Sequence, residues 1–84
     1  VKEVVVYTTS PCPYCTRAKE LLSRRGVPFR EILYRYDEEE KWDELEKRSG
    51  MKSMPQIFHG ERLIGGYTEL AELDATDKLL SLKS

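Results

Sequence analysis

Val4-Val5-Val6-Tyr7-Thr8-Thr9-Ser10-Pro11-Cys12-Pro13-Tyr14-Cys15 is the stretch on which the reading of this chain turns. The run Val4 to Tyr7 reads as a buried strand, and Thr8-Thr9-Ser10-Pro11 as the loop leaving it. A helix follows from about Pro13, whose preset φ and missing amide hydrogen suit a first turn where that hydrogen would have no partner. Cys12 therefore stands at a helix N-terminus, where unpaired N–H groups and the positive end of the helix dipole favour a thiolate. Cys15 lies one turn further in on the same face, placed to attack a mixed disulfide formed on Cys12. The spacing predicts a thiol-disulfide site with Cys12 as nucleophile and Cys15 as resolving thiol.

Beyond this stretch the pattern continues as α/β. Cys15, Ala18 and Leu22 recur at helical spacing with Leu21 beside them, and Gly26 and Pro28 end that helix. Phe29 to Tyr34 alternates as a second strand, parallel to the first through a right-handed crossover. Asp37 is the expected N-cap of a second, highly charged helix running to Arg48, with Trp42 and Leu45 as its buried anchors and Gly50 closing it. Gln56 to His59 and Arg62 to Ile64 form an antiparallel hairpin across Gly60-Glu61. After Gly65-Gly66, Thr68 caps a last helix with Leu70 and Leu73 inward and Leu79, Leu80 and Leu82 near its end, interrupted around Asp74 to Asp77. One domain over residues 1–84 is expected, a four-stranded mixed sheet flanked by three or more helices.

Composition narrows the function. The chain has 84 residues, 14 basic and 15 acidic, for a net charge of -1. That balance gives no electrostatic reason to expect nucleic acid or an anionic membrane as partner. No apolar run approaches the roughly 20 residues needed to span a bilayer, and the N-terminus enters strand pattern at once, so a cytoplasmic location is expected. There, two cysteines fit a redox pair better than a structural bridge, which would close too short a loop to remove much entropy from the unfolded chain. Zinc is the other structural reading of two thiolates at this spacing. His59 is the single histidine and no further cysteine exists, so a closed site would need carboxylates or a second chain, and no metal is expected.

These residues resemble the glutaredoxin family over almost the whole chain. Members carry Cys-Pro-Tyr-Cys after the first strand, a Thr-Val-Pro segment with a cis proline, and a Gly-Gly turn leading into an acidic helix N-terminus. Here Cys12 to Cys15, Ser53-Met54-Pro55-Gln56 and Gly65-Gly66-Tyr67-Thr68-Glu69 stand in the same order. A thioredoxin would instead show a Trp-Cys-Gly-Pro-Cys motif in a longer chain.

The resemblance implies a thioredoxin-like fold and a monomer that reduces protein disulfides and protein-glutathione mixed disulfides, with glutathione as reductant. It implies a cis Met54-Pro55 bond whose Met54 backbone pairs with an extended thiol ligand. Tyr14 flanks that ligand, and Gly66, Tyr67 and Thr68 present the α-helical N–H groups that meet its γ-glutamyl carboxylate, as a helix N-terminus can. Glu69 occupies the acidic position that meets the ligand's amino group. Three departures stand out: Thr9 replaces a common lysine near the ligand's glycine carboxylate, Met54 replaces valine, and Tyr67 replaces a frequent cysteine. Arg17 and Lys52 are the candidate compensating bases. Two other functions are compatible with the resemblance. One is a hydrogen donor to ribonucleotide reductase recycled by thioredoxin reductase, which the retained Gly65-Gly66 disfavours. The other is a dimeric iron-sulfur carrier ligated by Cys12 and glutathione, disfavoured by Pro13 and Cys15 where such carriers tend to have Gly and Ser.

Overall fold

The structure, a computed structural model, describes residues 3–10, 12–76 and 78. Strand β1 (Val4–Thr8) is followed by α1 (Pro13–Arg24), β2 (Arg30–Leu33), α2 (Glu39–Ser49), β3 (Gln56–His59), β4 (Arg62–Gly65) and α3 (Tyr67–Ala75). The sheet order is β2-β1-β3-β4. β1 is parallel to β2, with Thr8 opposite Leu33, and antiparallel to β3, with Tyr7 opposite Gln56. β3 and β4 form the expected hairpin, His59 facing Arg62 across a turn in which Gly60 takes a φ of 64°. The four-stranded mixed sheet and its three helices are the architecture expected from the sequence.

Period-two alternation in β1 divides the core. Val4 and Val6 face Ala18, Leu21 and Leu22 of α1, Ile57 of β3 and Leu70 of α3. Tyr7 faces the other way, packing with Leu45 of α2 and Phe58 of β3. The Tyr7 ring meets those of Tyr34 and Phe58 edge-on at 5.5 and 5.6 Å, and its Oη accepts from Arg48 at 3.0 Å. Each fully buried aliphatic side chain contributes about 1.5–3 kcal/mol, so these two clusters hold the helices to opposite faces.

Several helix boundaries differ from the sequence expectation. The N-cap of α2 is Glu38 rather than Asp37, whose carboxylate is taken by Arg35 through bonds of 3.1 and 2.7 Å. Of the two expected anchors of α2 only Leu45 is buried; Trp42 is half-buried, stacked on Tyr36. Gly66, not Thr68, caps α3, and Thr68 lies exposed in its first turn. The reason is Glu69, whose Oε1 accepts from the Gly66 amide at 2.6 Å, the reciprocal half of a capping box. The expected break around Asp74 to Asp77 falls where α3 ends, at Ala75 with Thr76 as its C-cap, and Asp74 is bound by Arg25 at 2.7 and 3.2 Å. Asp77, Leu79, Leu80 and Leu82 lie outside the described residues.

Glu31 ties β1, β2 and α1 together. Its Oε2 accepts from the buried Thr8 hydroxyl and from Lys19 Nζ, both at 2.8 Å. The Lys19 bond chiefly, with a smaller contribution from Thr8, holds the Glu31 carboxyl below its ordinary value against the opposing effect of burial. Because the folded state depresses this group, its stabilisation is present above the unfolded carboxyl value and is lost as pH falls through the folded one. Glu31→Gln is therefore expected to cost about 0.5–1 kcal/mol near neutral pH, as for a partly exposed pair. In urea unfolding that difference should shrink toward zero well below the ordinary carboxylate range; a pH-independent difference would contradict the assignment.

Gly65 carries a φ of 129°, and a Cβ there would lie 2.6–2.9 Å from the Glu69 side chain. Gly65→Ala should cost about 2 kcal/mol through backbone strain and displacement of the Glu69 cap. Equal urea midpoints for the two proteins would show that the turn relaxes.

Candidate active site

The C-terminal ends of β1, β2 and β4 and the start of β3 converge at one end of the sheet, where Cys12 lies. Cys12 is the N-cap of α1 with Pro13 at the first helical position, as expected. Its sulfur accepts from the Cys15 amide at 3.2 Å, and its carbonyl accepts from the Thr16 amide at 3.2 Å. An amide aimed at the sulfur together with the helix dipole stabilises negative charge there once the sulfur is a thiolate.

Cys12 and Cys15 form a disulfide, their Cα atoms 5.2 Å apart. The two sulfurs differ in access: Cys15 is 2 % exposed, whereas Cys12 is half-buried. Leu22 and Ala18 in the core anchor the helix behind Cys15. An incoming thiol therefore reaches the pair from the Cys12 side.

The Met54–Pro55 peptide bond is cis, and the Met54 carbonyl oxygen lies 3.8 Å from Cys12 Sγ. This segment is held from below by Gln56, whose side-chain amide donates to the Met51 and Ser53 carbonyls at 3.1 and 3.0 Å. Ser49 Oγ accepts from the Met51 amide at 3.0 Å, fixing the same loop to the end of α2.

Beside the disulfide opens a cleft of about 210 Å³ lined by Tyr14, Met51, Ser53, Met54, Pro55, Gly66, Tyr67, Thr68 and Glu69. It gathers all the residues singled out from the sequence for ligand binding except Thr9. Thr9 is 7 % exposed, and its hydroxyl has no hydrogen-bond partner among the described residues. Met51 and Ser53 enter the lining without having been singled out; the turn after Gly50 is the local signal that carries them there. Tyr14 and Tyr67 approach to 5.9 Å between ring centroids, and the Arg17 guanidinium stands 5.3 Å from the Tyr14 ring on α1. Tyr67 also packs against the core, so the pair joins the N-terminal turns of α1 and α3 along one rim.

The cleft floor on the α3 side carries N–H groups that no intrahelical acceptor can take, as at any helix start. Glu69 takes that of Gly66, and those of Tyr67 and Thr68 belong to the same first turn, where negative charge is favoured. A sulfur-bearing ligand with a carboxylate at a distance from its sulfur matches this arrangement chemically. Among the described residues, no group of three or more His, Cys, Asp or Glu is placed to hold a metal ion.

Comparison with known proteins agrees with this architecture. The glutaredoxin family model matches residues 4–64. The chain is 46% identical over 81 residues to a glutaredoxin of Pseudomonas aeruginosa, covering 96% of this chain and 95% of that one. It is 46% identical over 72 residues to glutaredoxin 3 of Escherichia coli, covering 86% of each chain. Among solved structures, the solution structure of a glutaredoxin from Brucella melitensis has a TM-score of 0.82 at 44% identity, covering 95% of this chain and 86% of that one. The crystal structure of a buckwheat glutaredoxin-glutathione complex has a TM-score of 0.86 at 26% identity, covering 96% of this chain and 76% of that one. The fold is thus the thioredoxin-like one of those structures. With a family match through residues 4–64 and a relative 46% identical over nearly its whole length, this chain belongs to the glutaredoxin family, and its cysteine pair makes it a thiol-disulfide oxidoreductase.

Proposed function

We propose that this protein reduces protein disulfides and protein-glutathione mixed disulfides with glutathione as the reductant, acting as a monomeric, single-domain enzyme of the cytoplasm. The observation that carries the reading is the half-buried Cys12 sulfur between the α1 N-terminus and Met54, beside a cleft ending in the first-turn amides of α3. The buckwheat relative, whose structure is a glutathione complex, supports glutathione as the ligand. In this reading the ligand's sulfur lies against Cys12 and its backbone runs along Met54. The γ-glutamyl carboxylate meets the Tyr67 and Thr68 amides, and Glu69 offers its second carboxylate oxygen to the ammonium. Pro55 and Gly66 shape the passage between them, and Tyr14 and Tyr67 form the rim. Thr9 adjoins the glycine end, where its hydroxyl brings no charge.

Two routes follow from the unequal access of the thiols. With a glutathionylated protein, the Cys12 thiolate attacks the glutathionyl sulfur. The client leaves as a thiolate and takes a proton, and glutathione becomes disulfide-linked to Cys12. A second glutathione thiolate attacks that glutathionyl sulfur, forming oxidised glutathione and releasing Cys12 as thiolate. With a protein disulfide, Cys12 attacks one client sulfur and expels the other. Cys15 then attacks Cys12, the second client thiolate leaves, and the Cys12–Cys15 disulfide is reduced by two glutathione molecules in turn. The two sulfurs are bonded in this structure, so the first turn of α1 holds Cys15 within reach of Cys12.

Cys12→Ser should abolish both activities, while Cys15→Ser should abolish reduction of protein disulfides and retain deglutathionylation. Equal loss of both activities in both variants would refute the two-route scheme. The electron source is tested by following NADPH consumption with a glutathionylated substrate. Turnover is expected with glutathione and glutathione reductase; turnover only with thioredoxin reductase would make the protein a thioredoxin-reductase-coupled hydrogen donor and leave the α3 amides without a ligand role.

A further inference from the structure

A second concavity, of about 400 Å³, is lined by Tyr36, Glu39, Trp42 and Asp43, none of which the thiol chemistry uses. Its wall is a stack of the Tyr36 and Trp42 rings, 5.7 Å apart and inclined by 17°. Trp42 is fixed by its indole N–H, which donates to the Arg35 carbonyl at 2.8 Å, and Tyr36 is 62% exposed. The stack explains how the 34–38 loop is held to α2. It does not explain the two carboxylates beside it.

Glu39 lies in the first turn of α2, where negative charge complements the helix dipole, but Asp43 is a full turn further, beyond that effect. Like charges four residues apart on a helix repel. Arg35 is engaged with Asp37 at 2.7 Å and Lys41 with Glu38 at 2.6 Å, while Lys47 stands one turn beyond Asp43 on α2. Among the described residues neither Glu39 nor Asp43 makes an ion pair. An aromatic face with two carboxylates that make no ion pair among the described residues is complementary to a guanidinium or ammonium group, which gains from both the ring quadrupole and the charges.

The place of the groove in the fold gives it a use. Because β1 and β2 are parallel and the Tyr34 amide donates to the Thr8 carbonyl at 2.8 Å, the loop after β2 leaves the sheet at the same end as the loop leading to Cys12. The groove lies on the β2 side of that end, and the cleft lined by Met54 and Tyr67 on the side of β3 and β4. We infer that the Tyr36–Trp42 groove is a docking site for a lysine or arginine side chain of a client protein, held while the client's disulfide is presented to Cys12. The longest dimension of the molecule is 36 Å. An extended segment of about 10 residues spans that length, so a basic residue within that distance of the client's cysteine can reach the groove.

The setting rests on the proposed reduction of protein disulfides, but the test does not. Trp42 is the single tryptophan, so its emission reports occupancy directly. The oxidised protein is titrated with a cysteine-free peptide containing three arginines and, separately, with a matched peptide containing three glutamates. A saturable change is expected with the arginine peptide only, weakened by added salt, with affinity reduced about fivefold or more in Glu39→Lys/Asp43→Lys. No saturable change, an equal response to the glutamate peptide, or an unaltered affinity in the double variant would each overturn the inference. An emission that changes with protein concentration alone, together with concentration-dependent sedimentation, would assign the groove to a second copy of the chain and overturn it as well. In turnover, the double variant should lose about fivefold in kcat/KM for an arginine-flanked peptide disulfide and nothing for a small glutathione mixed disulfide. Failure of the small substrate in both proteins would refute the redox reading while leaving the titration to decide the groove.

Discussion

The pairing of Tyr7 with Gln56 is the constraint on which the site depends. β1 is central in the sheet, bonded to β2 on one side and β3 on the other, so its C-terminal end has little freedom. The antiparallel register sets the start of β3 beside that end, and one residue before Gln56 stands Pro55. The chain leaving β1 thus meets the Met54–Pro55 segment within a few residues, and Cys12 arrives 3.8 Å from the Met54 carbonyl. A register slip of one residue in β3 would turn Ile57 away from the face where Val4 and Val6 pack on α1 and shift the cis proline relative to the sulfur. Stability and site geometry are therefore set by the same strand pair.

Helix α1 completes the arrangement from the other direction. Ala18 and Leu22, both fully buried, press it onto the sheet, and the last turn is tied by Arg25 to Asp74 of α3. Its N-terminal turn is consequently held in place with Cys15 beneath and Cys12 toward solvent. The difference in access between two thiols three residues apart is a result of helix geometry and of which face is packed, requiring no specialised residue at either position. The solvent-facing cysteine is also the one at the helix end, where a negative charge is best tolerated.

How much of this was legible in the sequence varies with the range of the interactions. The cysteine pair, Pro13 at the first helical position and the Gly65-Gly66 turn are local signals, and each element they imply is present within a residue or two. The cis Met54–Pro55 bond came from resemblance, since local chemistry alone favours trans. The α3 cap was misassigned to Thr68 because a hydroxyl is the usual cap. Glu69 instead folds back onto Gly66, a contact between a side chain and an amide three residues earlier. Trp42 was expected inside because apolar spacing cannot distinguish packing on the sheet from stacking on a neighbouring loop. Met51 and Ser53 follow the turn after Gly50, but what holds them at the cleft is Gln56, whose side-chain amide donates to both carbonyls. Sequence spacing holds no record of that bond.

The bond from Glu69 to Gly66 also bears on why a glutamate, rather than a shorter acid, works at that position. Glu69 must reach the amide three residues earlier while its Cβ and Cγ lie within 2.9 Å of where a Cβ on Gly65 would stand. The longer side chain can curve over the turn only because Gly65 presents no side chain. The pair is therefore coupled: a glycine with positive φ makes room, and the carboxylate that fills the room satisfies the first orphan amide of α3. One carboxylate oxygen then remains at the cleft together with the Tyr67 and Thr68 amides. In the proposed role these act as an acceptor and two donors, the pattern that an α-amino acid end, ammonium beside carboxylate, complements. On the proposed function, the ligand's γ-glutamyl group meets a surface whose polarity was set by the capping of a helix.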